Sequence, residues 1–195
     1  MRFSLVVVLL VAVGGVAGWQ WWQARPPYGP EELGARATLE FVDQETADAA
    51  LAPGTAIYAH DSADQIVLGR VTWNRPAKAQ NGSSLRIVLL DRRDGRLPGL
   101  ITATSSRPDK ISVGMDGVLN TARERDPWLG EPRQSNGSDI YVSSLDASPV
   151  TFQTVLRQKH PGPDLLYAPI ALENLTVALI HVAPDGQVHW AQRLR

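Results

Sequence analysis

Hydrophobic and polar positions follow two patterns along this chain, a continuous apolar run at the start and a period-two alternation afterwards. Phe3 to Gly18 (FSLVVVLLVAVGGVAG) carry no charge, Arg2 precedes them, and Trp19, Trp21 and Trp22 follow at once. As a helix, residues 3–22 would reach about 30 Å, the thickness of a bilayer's hydrocarbon layer, and would set the tryptophan rings at the membrane interface. This predicts an N-terminal transmembrane helix over residues 1–22. The small residues at Val16-Ala17-Gly18 also suit a signal peptidase, so a cleaved signal peptide is the alternative, and the WQWW cluster argues for the retained anchor. The short leader before the apolar run predicts a single-pass inner-membrane protein with a cytoplasmic N-terminus and a periplasmic or extracellular C-terminal domain. Gly14 and Gly18 have GxxxG spacing, which offers a helix-packing face for a homodimer.

Pro26-Pro27-Tyr28-Gly29-Pro30 then predicts an extended linker over residues 23–34, with the folded body at 35–195. Within the body, Leu39 and Phe41 share a strand face, as do Val67, Val71 and Trp73, and then Leu85, Ile87 and Leu89. Further strands are expected at Thr55–Asp61, Lys110–Met115, Asp139–Leu145, Val150–Gln158, Leu175–Val182 and Gln187–Gln192. Residues 76–84, 102–109 and 126–138 read as loops. Two stretches read as helix, Glu45–Leu51 before Pro53-Gly54 and Asp116–Arg125 before Asp126-Pro127, each too short to be expected to cover a sheet. Many strands and few crossover helices predict a mainly β fold, an antiparallel β-sandwich or barrel-like domain with one or two short helices.

Composition narrows the chemistry. Lys and Arg total 19 against 20 Asp and Glu, so no global field recruits nucleic acid. The absence of cysteine excludes disulfides, thiolate metal sites and cysteine nucleophiles. The predominance of Arg over Lys, with abundant Ala and Pro, matches a GC-rich bacterial source. No GxSxG elbow, SxxK, HExxH, P-loop or GxGxxG picks out a catalytic residue or a cofactor, so no catalytic residue and no cofactor is assigned.

Three local groups remain. Pro184-Asp185-Gly186 predicts a three-residue hairpin loop, and that register sets His181 opposite His189, where two imidazoles can titrate together or hold a metal ion if a third ligand joins them. His60 with Asp61 and Asp64 forms a weaker acid-base grouping, and ordinary turn composition explains it as well. Arg92, Arg93 and Arg96 surround a hairpin tip and are the candidate contact for an acidic partner or for lipid headgroups. The functional expectation is a membrane-anchored periplasmic β-domain that binds other envelope proteins as an accessory or scaffold. A membrane-anchored envelope hydrolase and a small-ligand or metal-binding module are the alternatives.

Overall fold

The computed structural model of the protein describes residues 26–59, 63–78, 82–93, 95, 101–114, 118–130, 139–156 and 170–195. The anchor expected over residues 1–22, with Trp19, Trp21, Trp22, Gly14 and Gly18, lies outside them, as does Arg96. Among the described residues no helix is long and apolar enough to cross a membrane.

The period-two segments form strands β1 (Arg36–Val42), β2 (Gln65–Thr72), β3 (Ser84–Asp91), β4 (Ile101–Ser105), β5 (Ile111–Gly114), β6 (Asp139–Val142), β7 (Val150–Leu156), β8 (Leu175–Val182) and β9 (Val188–Arg193). They make two antiparallel sheets, one ordered β1-β2-β7-β4 and the other β5-β6-β3-β8-β9, in a sandwich-like arrangement. Leu39, Val67, Val71 and Phe152 of the first sheet meet Leu85, Ile87, Val177 and Leu179 of the second in the main core. The chain passes from β4 in one sheet to β5 in the other through a short 3-10 turn at Pro108–Lys110.

Two of these assignments differ from the sequence reading. Ile101–Ser105 (ITATS) is an edge strand, although its Thr and Ser side chains read as loop: four of its five residues are only partly buried, so their polarity costs little there. Conversely, the described part of the expected strand Thr55–Asp61 joins no sheet. Its backbone is held by side chains instead: buried Gln153 accepts from the Ile57 N–H at 2.9 Å and donates to the Ile57 carbonyl at 2.6 Å, while Gln44 accepts from the Ala59 N–H at 3.2 Å. One glutamine amide thus takes both ladder bonds that a neighbouring strand would supply. Replacing Gln153 with Leu is expected to cost about 1–3 kcal/mol, because it strands the Ile57 N–H and leaves the Ile57 carbonyl only a 3.4 Å bond from Gln44 Nε2. Hydrogen exchange at Ile57 should accelerate in the variant, and protection equal to wild type would show that the amide pairing contributes nothing.

The short helices cover more than their length suggested. Helix α1 (Pro30–Leu33) is a single turn, α2 is Gln44–Ala50 and α3 is Val118–Arg125. Asp43 caps α2 by accepting from the Thr46 N–H at 2.8 Å, and hydrogen bonding from the Thr46 side chain, then from this N–H, holds the Asp43 carboxyl below its usual range. Ala47 of α2 then joins Ile66 and Val155 on the outer face of the first sheet. Leu119 and Ala122 of α3 pack on Val88, Leu90, Ala178 and Ile180 of the second, which is why all eight residues of β8 are buried. The β3 and β8 strands of the second sheet are therefore covered on both faces.

The segment expected as a free linker is also packed from Tyr28 onward. Pro30 begins α1 and Gly34 ends it at φ 55°, a left-handed cap suited to glycine. This turn buries Leu33 and Tyr28 in the main core, and the Asn74 N–H donates to the Leu33 carbonyl at 2.9 Å. The folded body therefore begins several residues before position 35.

Candidate functional site

Two places gather chemistry among the described residues: a buried aromatic cluster at the β8–β9 hairpin, and an arginine-lined cleft on the outer side of the second sheet.

The hairpin loop forms as its sequence predicts. Gly186 has φ 86°, its N–H donates to the Ala183 carbonyl at 2.9 Å, and the Gln187 N–H donates to Asp185 Oδ1 at 3.0 Å. Val182 pairs with Val188 in the expected register, but one residue later His181 pairs with Trp190. The predicted direct opposition of His181 and His189 is thus displaced by a bulge, with the extra residue on β9. Two residues opposing one on the partner strand still bring both rings of β9 to the same imidazole. His189 and Trp190 each lie 5.2 Å from His181 by ring centroids, both roughly stacked, and the Tyr28 ring meets His181 edge-on at 5.0 Å.

His181 faces the inter-sheet core and is fully buried, and neither of its ring nitrogens has a hydrogen-bond partner; Nδ1 of His189 has none either. Burial is the main reason the His181 pKa falls to about 4, and the neighbouring His189 lowers it further. Burial also lowers His189; Asp185 opposes that shift and Arg125 adds to it. Burial pushes the Tyr28 hydroxyl up to about 12, against a smaller opposing pull from Ser83. At neutral pH the cluster is therefore an uncharged core element. Among the described residues no group of three or more His, Asp or Glu comes together, so no third ligand accompanies the pair.

The cleft has a volume of about 340 Å³ and forms where the turn after β3 meets a 3-10 turn, Pro127–Leu129. Arg92 and Arg93, two of the three arginines singled out in the sequence, line it. Arg93 is committed locally: its guanidinium spans both carboxylate oxygens of Asp91 at 2.6–3.1 Å, and Asp91 is only 1% exposed. Arg92 reaches the Glu173 carbonyl at 3.4 Å. Arg193, Trp128 and Arg123 complete the place and were not identified from sequence, since the stretch 123–128 and Arg193 each lie far from Arg92 and Arg93 in the chain. The one available signal was the composition of each turn, which is too common to select them.

No protein-family model matches this sequence, and no curated protein matches it significantly.

Proposed function

We propose that the protein is a membrane-held binding domain, with residues 1–22 as a single-pass anchor in a bacterial inner membrane and the β-sandwich-like body on the periplasmic side. There it acts as a protein-binding accessory or scaffold of an envelope assembly. The observation that supports this reading is the β5 edge of the second sheet, which no other described strand pairs. β5 ends the sheet order, three of its four residues are exposed, and Val113 is among the exposed large hydrophobic side chains at 39%. An edge strand that pairs with no described strand on its outer side and exposes an apolar side chain is a template for an added strand from a partner, with main-chain bonds supplying affinity.

A photo-reactive residue at Val113, introduced in intact cells, should yield one discrete adduct with an envelope protein. The same probe at exposed Lys78 should not. Identical adduct patterns from the two positions, or none from Val113, would remove the edge strand as the binding surface.

A further inference from the structure

We propose that residues 28–34 form a proton-operated latch: protonation of His181 and His189 releases them from the last hairpin while the two sheets stay folded. The device is separate from the β5 edge and does not depend on it.

The latch closes over a place that cannot accept charge. His181 is fully buried among three rings, Tyr28 edge-on at 5.0 Å and His189 and Trp190 each at 5.2 Å, and neither of its nitrogens has a hydrogen-bond partner. A proton added there brings a charge and a second donor with no acceptor to receive them. The titratable group that faces it from residues 28–34 is Tyr28, whose hydroxyl stays neutral because burial pushes it up to about 12. From β9 it is His189, which repels it once both are charged. β3 sets apolar Leu85 opposite it in register. Charge reaches His189 in turn from Asp185 of the hairpin loop, which favours its proton, and from Arg125 of α3, whose Nη1 donates to the Val188 carbonyl at 2.8 Å and which disfavours it.

The latch is also lightly held. Its helix α1 is one four-residue turn, too short to persist alone in water. Among the described residues its main chain bonds to the body twice, from Trp190 Nε1 to the Tyr28 carbonyl at 3.2 Å and from the Asn74 N–H to the Leu33 carbonyl at 2.9 Å. β9 ends its sheet and carries the bulge at His189 and Trp190, where the ladder is already interrupted. Opening there costs less than separating the central strands.

Opening brings His181 into water, where its pKa returns to the usual value of about 6.5 from about 4 when closed. The open form therefore binds the extra proton, and acid favours it. Between about pH 7.5 and about pH 5 the open-to-closed ratio rises about 25-fold through His181 alone. Seven residues, 28–34, are then free ahead of β1, roughly 20 Å of extended chain.

The test follows hydrogen exchange by NMR in the full chain in a neutral detergent, at about pH 7.5 and about pH 5, with rates corrected for the intrinsic pH dependence of exchange. The Trp190 Nε1–H and the Asn74 N–H bond to the two ends of the latch. Both should lose about 25-fold in protection at the lower pH while staying less protected than the slowest β8 amides. His181→Phe should remove most of that change, and His181→Leu gives the same reading if Phe does not pack. Protection equal to that of the slowest β8 amides would overturn the latch, since only global unfolding would then release it. So would protection that does not vary with pH, or a wild-type pH dependence in both variants. Loss at Trp190 with Asn74 unchanged would also overturn it and mark an opening of the hairpin alone.

Discussion

Acidification from about pH 7 to about pH 4 should remove on the order of 3 kcal/mol of stability through His181 alone, and replacing His181 with Phe should abolish most of that loss. The sign follows from the depressed pKa. His181 titrates near 6.5 when unfolded and near 4 in the folded core, because burial and then His189 disfavour its charged form. Between these values the unfolded chain binds the extra proton. The stabilisation is therefore complete above about 6.5, declines as pH falls through the window, and is exhausted below about 4. His189 is shifted in the same direction and adds to the slope. Phe at position 181 keeps a ring between Tyr28 and Trp190 and removes two nitrogens that have no partner, so stability at neutral pH should hold or rise. Urea midpoints measured by tryptophan fluorescence at several pH values test this. Parallel pH profiles for wild type and His181→Phe would show that other groups carry the acid sensitivity.

Gly69→Val should be among the most damaging single changes in the domain, costing about 3 kcal/mol and lowering Tm by roughly 6–12 °C. Gly69 lies in β2 directly opposite Phe152 of β7, and the Phe152 ring folds across the glycine. A Cβ there would fall inside the van der Waals envelope of that fully buried ring. Phe152 cannot rotate away without opening the inter-sheet core it fills. Adding Phe152→Leu to Gly69→Val should recover part of the loss, giving a non-additive double-mutant cycle. A Gly69→Val protein within about 0.5 kcal/mol of wild type would show that the ring relaxes freely.

What the sequence revealed follows from what alternation can encode. β2, β3, β7 and β8 were legible because each must fill the core at every second position, and the Pro-Asp-Gly loop was legible because its backbone conformation demands those residues. Three features escaped for separate reasons. ITATS is a half-exposed edge, where Thr and Ser cost little, so the apolar signal is weak. The Ile57 segment borrows its hydrogen bonds from Gln153, and no local pattern reports a partner 96 residues away. The bulge at His189 adds one residue to a strand without changing its composition, so a simple pairing rule predicted the meeting of the two histidines but not the insertion of Trp190 beside them. The stretch LTVALIHV was legible as a strand, but the cover that α3 gives its outer face was not, because a helix of eight residues read as too short to cover a sheet. Of the cleft, only Arg92 and Arg93 could be singled out, because Arg123, Trp128 and Arg193 acquire their meaning from where the fold brings them.

The burial of Tyr28 also determines how the domain bears force. Its carbonyl accepts a bond from Trp190 Nε1 at 3.2 Å, and its side chain is wedged beside His181 in the interior. Tension applied at Tyr28 therefore bears directly on the packed body. It reaches the last hairpin, remote in sequence, through that bond and that ring contact. A pull at Tyr28 is thus felt first in β9, the last strand of the second sheet, and not in β1, its neighbour in sequence.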